Sequence, residues 1–369
     1  MPQGWRWLKA ARVYLETGKP PETWKGEALN IRFKISFLIR ELTGALGDLP
    51  LFFIFFAGLT QFSDLNPLNI LFWSGLAHIV VGIVFRVPLP YQPMKAMGLF
   101  AIAHGVSQAE LLSAGVGIGL LILAMNSLGL FQKLYDFFPK AVIRGIQLGL
   151  ALMLCKKAVE LVLIDGSFYF MFAGGAVDFP SVSWPRDFFH LASLTWTETV
   201  LTLIVIQLPL TMANSIFSPT LLLRDYFPNR KIKASQIAAS VGWMNLLTCL
   251  FGGMPACHGA GGLAAQYRFG ARSGLSVIFL GFLKIVMALF LGGFFMAVAR
   301  HFPRGLLGLL LLFPAHDLIW RAAAVRGGVE RTVVGVTALT MVFWHAGWAM
   351  VVGGMLFYMF HYLRKVRVS

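Results

Sequence analysis

Residues 86–96 read RVPLPYQPMKA and residues 252–265 read GGMPACHGAGGLAA, and each stretch interrupts a long apolar run. The first contains three prolines, which lack the backbone N–H group that a continuous helix requires; the second contains five glycines and one proline. A helix can therefore begin only at about Pro93 in the first stretch and near Ala260 in the second. Non-helical backbone at membrane depth is tolerated only where it is buried in protein or lines a watery cavity. The two stretches predict two half-helices that begin inside a membrane protein.

Half-helices that begin inside a membrane suit a negatively charged ligand. The first turn of a helix carries backbone N–H groups without partners and the positive end of the helix dipole, and both favour an anion. Paired interruptions at corresponding positions of two halves are the best sequence pointer to the binding site of a secondary transporter. The alternative is that both stretches are kinked helices that serve packing alone. We favour an anion site because each break carries a cluster of polar residues.

The composition is that of a chain solvated by lipid. Hydrophobic residues make up 57% of the 369 and charged residues 13%, whereas soluble domains are about half apolar and about a quarter charged. The mean hydropathy is +0.73. The apolar runs are long and continuous rather than short and alternating, which predicts spanning helices and not a β-barrel. The chain is therefore expected to be an all-α polytopic membrane protein.

The apolar runs predict about twelve spans, since each spanning helix needs ~20 residues. We expect them at 42–60, 69–85, 88–105, 110–130, 141–163, 197–222, 236–251, 253–268, 273–299, 305–319, 332–345 and 347–363. They form two transmembrane repeats, one over 41–163 and one over 197–363. A basic segment over 1–40 precedes the repeats, an external loop over 164–196 separates them, and a tail covers 364–369. A re-entrant piece is the alternative to a plain loop at 164–196.

The distribution of positive charge predicts the topology. The net charge is +15, and most of the 31 Lys and Arg residues fall in alternate segments between the predicted spans. By the positive-inside rule those segments are cytoplasmic, so we expect a cell membrane protein with both termini in the cytoplasm. The break at 86–96 then enters from the cytoplasm and the break at 252–265 from the opposite side, which makes the two repeats inverted. Because the basic residues are spread between apolar runs, nucleic acid is not an expected partner.

Four ordered stretches carry a family resemblance: ELTGALGD at 41–48, PLPYQPMKA at 88–96, QLPLTMANS at 207–215 and CHGAGGLAAQYRFGAR at 257–272. They resemble the signature stretches of the molybdate transporter family, which is related to the sulfate permeases. The resemblance covers most of residues 37–300. It implies a core of helices around the two breaks, a gate formed by the remaining helices, and secondary-active uptake of molybdate or sulfate.

The chain departs from the family pattern in two places. GDLPL stands at 47–51, where the family usually continues Gly-Asp-Leu-Gly-Thr. Fewer spans are predicted in the first repeat than the related permeases have there. We therefore expect a reduced gate in the first repeat.

Asp48 and Glu41 are the candidates for proton coupling. They lie about two helical turns apart, so they share one helix face. A carboxylate inside the membrane is a functional candidate by default, and Asp48 either carries the coupling proton as the anion binds or pairs with Lys95. Glu41 lies closer to the membrane interface, where an ion pair with Arg40 or Lys34 is the simpler interpretation.

The first break and a later polar span supply candidates for substrate binding. Gln92 precedes the first half-helix and can donate to an oxyanion. Lys95, in the first turn, either attracts the anion or extends to the cytoplasmic surface. Gln207, Asn214 and Ser215 share one face of an apolar span, where they either line the site or hydrogen-bond to neighbouring helices. We favour a site-lining role because this span is the inverted counterpart of the first predicted span.

The second break supplies three more candidates for substrate binding. His258 either donates a hydrogen bond to the anion or is structural, and no residues at ligand spacing suggest a metal. Gly259 and Gly261 lie where the N–H groups at the start of the second half-helix would meet the substrate. We expect neither a metal nor another cofactor. The expected partners are the oxyanion, the lipid bilayer and, in a homodimer, a second copy of the chain.

Three alternatives to an oxyanion transporter stay open. A nucleobase carrier of similar architecture typically binds its base with carboxylates in the second half, yet no Asp or Glu occurs between Asp225 and Asp317. An integral-membrane enzyme would need clustered ligands or a nucleophile with a base, and the eight histidines are scattered singly. An anion channel would differ from a secondary transporter only in that anion movement is not coupled to a second ion, and the sequence does not show such coupling. The polar residues of the two breaks favour the transporter.

Overall fold

The computed structural model describes residues 31–131, 139–164, 194–300, 302–344 and 346–368. Most of the basic segment predicted over 1–40 and most of the loop predicted over 164–196 lie outside these residues, so both stay predictions. The described part of the chain is helical apart from one pair of two-residue strands and the connecting segments.

The described residues up to 164 form helices α1 to α6 and one strand. Their bounds are α1 Ile31–Leu46, α2 Leu49–Phe62, α3 Pro67–Phe85, β1 Gln92–Pro93, α4 Lys95–His104, α5 Gln108–Ser127 and α6 Lys140–Ile164.

The described residues from 194 onward form helices α7 to α15, one π-helical segment and one strand. Their bounds are α7 Glu198–Leu210, the π segment Thr211–Phe217, α8 Ser218–Tyr226, α9 Ala234–Leu250, β2 Ala256–Cys257, α10 Ala260–Arg268, α11 Leu275–Phe290, α12 Gly292–Arg300, α13 Arg304–Ala323, α14 Gly328–Phe343 and α15 Ala346–Val368.

Local sequence signals account for several helix boundaries. Asn66 caps α3 by accepting a hydrogen bond from the Leu68 N–H. Ser107 and Glu110 form a capping box at the start of α5. Helix α3 ends at Phe85, and the next residue, Arg86, has a φ of 56°, which lies in the left-handed region. Because prolines follow at once, the chain does not resume helix until α4.

Two irregular positions lie inside predicted spans, and a proline accompanies each. The predicted span 42–60 is broken at Gly47 and Asp48, just before Pro50. The predicted span 197–222 contains the π segment and continues to the end of α8. Pro219 has no N–H to donate, and the Ser218 N–H instead reaches the Ala213 carbonyl, five residues back. Both spans are therefore less regular than their hydropathy suggested.

The predicted span 273–299 is wrong as a single helix. It is two helices, α11 and α12, which are separated at Leu291. Gly292 and Gly293 follow the break, and glycine is among the poorest helix formers, so the second helix begins anew.

The helices pack in two groups. In the first helix group, α1 to α5 and α7 to α12, α3 packs against α11 and α5 packs against α9. A methyl group added at Gly75 or Gly281 would collide with the carbonyl of the other, so glycine lets the backbones of α3 and α11 approach closely. In the second helix group, α6 packs against α13, α14 and α15.

Four helical stretches of the described chain are long and apolar enough to cross a membrane: Ser36–Phe62, Pro67–Phe85, Gln108–Ser127 and Glu198–Tyr226. Leu275–Phe290 and Trp348–Leu363 are shorter apolar helices. The count of about twelve spans stays a prediction.

Candidate functional site

The two short strands hold the starts of α4 and α10 together. β1 and β2 are antiparallel, with Gln92 opposite Cys257, and the Met94 N–H donates to the Pro255 carbonyl at 2.9 Å. Helix α4 follows β1 and helix α10 follows β2, as the prolines and glycines of the two breaks predicted. Neither helix start has a side-chain cap, so no side chain of the residue that precedes each helix satisfies a first-turn N–H group.

Two buried polar side chains fasten this pair of strands. The Asn245 amide on α9 donates to the Ala256 carbonyl at 2.6 Å, and its oxygen accepts from the Ala256 N–H at 2.8 Å. The Tyr91 hydroxyl donates to the Met254 carbonyl at 3.1 Å. Neither residue was predicted from the sequence, although an asparagine within an apolar helix was a signal for Asn245.

A small cavity lies at the start of α4, between the two helix groups. It is lined by Lys95, Ala96, Gln147, Leu150, Gln207, Leu210, Asn214, Ser215, Cys257 and Leu318. Its volume of about 20 Å³ is room for little more than one water molecule. Gln147, Leu150 and Leu318 come from α6 and α13, whereas the other lining residues belong to the first helix group. Four predicted site residues, Lys95, Gln207, Asn214 and Ser215, are thus brought together.

The electrostatics of the cavity favour an anion. Lys95 is the only charged side chain among the described lining residues, and it is the first residue of α4. A cation at a helix N-terminus is repelled by the positive end of the dipole, and a bound anion would remove that repulsion. Among the described residues no cluster of His, Cys, Asp and Glu is suited to a metal ion.

Gln207 connects α7 to the start of α4. Its side-chain oxygen accepts from the Met97 N–H at 3.0 Å, and its nitrogen donates to the Thr211 hydroxyl at 2.9 Å. Gln207 therefore satisfies one first-turn N–H of α4 and also lines the cavity. The two roles that the sequence left open for this residue, lining and helix contact, are both present.

Gln92 lies against the start of α10 and contacts Asp48. Its nitrogen donates to Asp48 Oδ1 at 2.6 Å, and its oxygen is buried without a hydrogen-bond partner in the described structure. A methyl group added at Gly259 would collide with the Gln92 oxygen, and one added at Gly262 would collide with both Gln92 and Asp48. Gln92 is not among the described residues that line the cavity. It instead links Asp48 to the strand that faces Cys257.

Asp48 belongs to a buried cluster with two residues, His78 and Lys284, that were not predicted site residues. His78 Nε2 lies 3.5 Å from Asp48 Oδ2. Lys284 on α11 is 1% exposed, interacts electrostatically with Asp48, and has its ammonium 3.2 Å from the centre of the Phe52 ring. The Lys284 ammonium has no hydrogen-bond partner among the described residues. A lysine within an apolar run was the signal for Lys284, but its partners were not evident.

His258 is fully occupied by protein contacts. Its Nδ1 lies 2.7 Å from the Pro90 carbonyl, and its Nε2 lies 2.9 Å from the Ser240 hydroxyl. Because a carbonyl only accepts, Nδ1 carries the proton, and Nε2 of the neutral ring accepts from Ser240. A neutral His258 therefore has no N–H left for an anion. Its contacts support the structural interpretation, in which it joins the two breaks.

Glu41 anchors the start of α11. Its carboxylate accepts from the Arg272 N–H at 2.9 Å and from the Ser276 N–H at 3.2 Å. A carboxylate at a helix N-terminus is favourable because it meets unpaired N–H groups and the positive end of the dipole. Among the described side chains Glu41 forms no ion pair with Arg40, and the alternative partner Lys34 lies outside the described side chains. Glu41 lies outside the set of described residues that line the cavity.

Gly262→Ala is expected to destabilise the protein by about 1–3 kcal/mol, because the added methyl group overpacks against Gln92 and Asp48. Gly261→Ala is the matched control: nothing lies within 4 Å of its added methyl group. Both changes gain about 1 kcal/mol of helix propensity. Thermal unfolding of the purified protein in detergent measures the difference. Equal stability of the two variants would contradict the described packing of Gln92.

Comparison with known proteins gives a consistent family assignment. A family model described as "Molybdate transporter of MFS superfamily" matches residues 40–154 and 199–318. Molybdate transporter 2 of Arabidopsis thaliana is 29% identical, over 80% of this chain and 80% of that protein. Molybdate transporter 1 of the same organism is 30% identical, over 77% of this chain and 80% of that protein.

Solved structures share the fold at low sequence identity. The transmembrane domain of a cyanobacterium bicarbonate transporter, BicA, superposes with a TM-score of 0.59 at 15% identity, over 89% of this chain and 98% of that one. SLC26A9 superposes with a TM-score of 0.58 at 12% identity, over 97% of this chain and 70% of that one. The two matches show that this chain has the fold of these anion transporters.

Proposed function

The chain belongs to the molybdate transporter family, and we propose that it is a secondary-active transporter of molybdate. It is a multi-pass membrane protein and not an enzyme. Sulfate, which is also a tetrahedral dianion, is the second proposed substrate. The observation that carries the proposal is the cavity at the start of α4, in which Lys95 is the only charged side chain among the described lining residues.

We propose that the anion is held by groups from both breaks. Lys95 supplies the positive charge, and the Asn214 amide and Ser215 hydroxyl supply hydrogen bonds. The remaining first-turn N–H groups of α4 and α10 are proposed to donate to the anion, because the start of a helix favours negative charge. Gly261 supports this arrangement, since the space around it is open and a ligand can approach its backbone.

Transport is proposed to proceed by displacement of one helix group relative to the other. The first helix group acts as the core and the second as the gate, with the repeats 41–163 and 197–363 inverted in the membrane and both termini cytoplasmic. The packing supports this division, because the cavity has lining residues from both groups. At about 20 Å³ the cavity is too small for a tetrahedral oxyanion, so the groups must separate before the anion binds.

Proton coupling is proposed to act through Asp48. Gln92 donates to Asp48 and also lies on β1, opposite the cavity-lining Cys257. A change in the charge of Asp48 would therefore affect the cavity through the Gln92 side chain and the paired strands β1 and β2. Glu41 supports coupling less well, because backbone N–H groups already hold its carboxylate.

Purified protein in proteoliposomes is expected to accumulate labelled molybdate above equilibrium when an inward proton gradient is imposed, and unlabelled sulfate is expected to compete. Collapse of the gradient with a protonophore is the control. Labelled molybdate should then only equilibrate across the membrane and should not accumulate. Failure to bind or transport either anion would refute the proposed function. Uptake that never exceeds equilibrium would indicate a channel, and competition by uracil would indicate a nucleobase carrier.

A further inference from the structure

A deep apolar groove runs along the outer side of α3 and α9. Its volume is about 670 Å³, and its apolar lining includes Trp73, Val80, Val84, Trp243 and Leu247. Several of these side chains are open to the surroundings: Val84 is 65% exposed and Trp243 is 54% exposed. In a chain that spans a membrane this groove is in contact with lipid, and its volume and apolar lining suit an alkyl chain.

One end of the groove is strongly basic. Arg230 and Lys231 line it there. Arg230 also lines an adjoining cavity of about 480 Å³, together with Arg86 and Arg272. No Asp or Glu is among the described residues that line either space. The apolar groove therefore continues into a basic cavity. None of the described residues that line this cavity carries a negative charge.

We propose that this groove binds an anionic phospholipid, with an acyl chain along α3 and α9 and the phosphate at Arg230, Lys231 and Arg86. Charge complementarity selects this occupant. A neutral lipid or detergent would fill the apolar part alone, whereas a phosphate ester carries the negative charge that the basic end lacks. Basic pockets between membrane helices bind anionic head groups for the same reason. The site is separate from the proposed anion cavity, with which it shares no described lining residue.

The groove also has a route to the second break. Ser240 lines the groove, and its hydroxyl lies 2.9 Å from His258 Nε2. His258 in turn contacts the Pro90 carbonyl in the first break. A lipid in the groove would thus contact Ser240, whose hydroxyl bonds to His258 between the two breaks. Through this contact the lipid composition would influence the strands beside the anion cavity.

The test measures binding of phosphatidylglycerol to the purified full-length protein, with phosphatidylcholine of the same chain length as the neutral comparison, by native mass spectrometry. Phosphatidylglycerol is expected to bind more tightly. The double variant Arg230→Gln/Lys231→Gln is expected to lose about 30-fold in affinity for it, since each basic residue near an anionic lipid contributes roughly a factor of five. Affinity for phosphatidylcholine should not change.

Two further variants separate the site from general charge effects. Arg326→Gln/Arg331→Gln removes the same charge from the α13–α14 connection and the first turn of α14, and this variant should retain the preference for phosphatidylglycerol. Ala77→Phe, which fills the apolar groove, should weaken binding of both lipids. Equal affinity for the two lipids, or equal loss in both charge variants, would overturn the proposal. A cross-linked dimer formed through Leu247→Cys would also overturn it, because a second copy would then occupy the groove.

Discussion

Asp48→Asn and Lys284→Met, made separately, are expected to destabilise the protein more than the two changes made together. Each single change removes one of two opposite buried charges that interact electrostatically and leaves the other uncompensated, at a cost of about 3 kcal/mol. The double variant contains neither charge, so most of that loss should be recovered. Asparagine retains an oxygen that can accept from Gln92, and methionine retains a long apolar chain against Phe52. The expected recovery of stability in the double variant therefore reports the effect of the two charges and not of lost packing or hydrogen bonding.

Thermal unfolding of the four proteins in one detergent measures this cycle. Lys157→Met is the matched control, because Lys157 also stands over an aromatic ring, 4.9 Å from the centre of Phe62, but is partly exposed and paired with Glu160. That change is expected to alter stability by less than about 1 kcal/mol. Additive losses in the double variant would show that Lys284 does not compensate Asp48.

The same variants bear on proton coupling. The double variant is expected to fold and to bind molybdate, yet to lose accumulation driven by a proton gradient, because no carboxylate remains at position 48 to exchange a proton. Gradient-driven accumulation by the double variant would assign coupling to another group. A protein that neither binds nor accumulates the anion would instead place the buried cluster within the substrate site.

Asn214→Asp is expected to lower molybdate affinity by more than 100-fold at neutral pH. The side chain lines the cavity beside Ser215, and the change alters charge with almost no change in shape. A carboxylate at roughly 5 Å repels each unit of anion charge by about 3 kcal/mol at an effective dielectric of about 20, and a 100-fold loss corresponds to about 2.8 kcal/mol.

The control for this prediction is Asn214→Ala, which removes the amide without adding charge and should cost about ten-fold or less, the worth of one hydrogen bond. Affinity of the aspartate variant should recover in part as the pH is lowered, because protonation removes the introduced charge. Equal affinities of the aspartate and alanine variants would move the anion away from this cavity.

Much of the site was predictable because its signals are local. Proline and glycine act on the backbone within a few residues of their own position, so the starts of α4 and α10 could be inferred from the two breaks. The polar face of Gln207, Asn214 and Ser215 followed from their spacing on one helix, and all three line the cavity. The π segment was not predictable in this way. The effect of Pro219 there depends on which carbonyl the Ser218 N–H can reach.

The roles of individual polar residues were not predictable in the same way. The sequence left His258 open between an anion contact and a structural role, and its ring nitrogens contact Pro90 and Ser240, which lie on other segments. Glu41 was a candidate for proton coupling or an ion pair, and the structure shows it bonded to two backbone N–H groups at the start of α11. In each case the partner is distant along the chain, and no spacing within one segment indicates it.

What the sequence determined alone is that the chain is a membrane protein with two broken helices at which an anion could bind. That followed from hydropathy, from missing N–H donors and from charge distribution, all of which are properties of short segments. Only the tertiary structure decided that Asp48, His78 and Lys284 form one buried cluster, and that Gln92 connects it to the strands beside the cavity. The physical reason is that the contacts of a buried polar side chain depend on which helices pack together, and packing is a property of the whole chain.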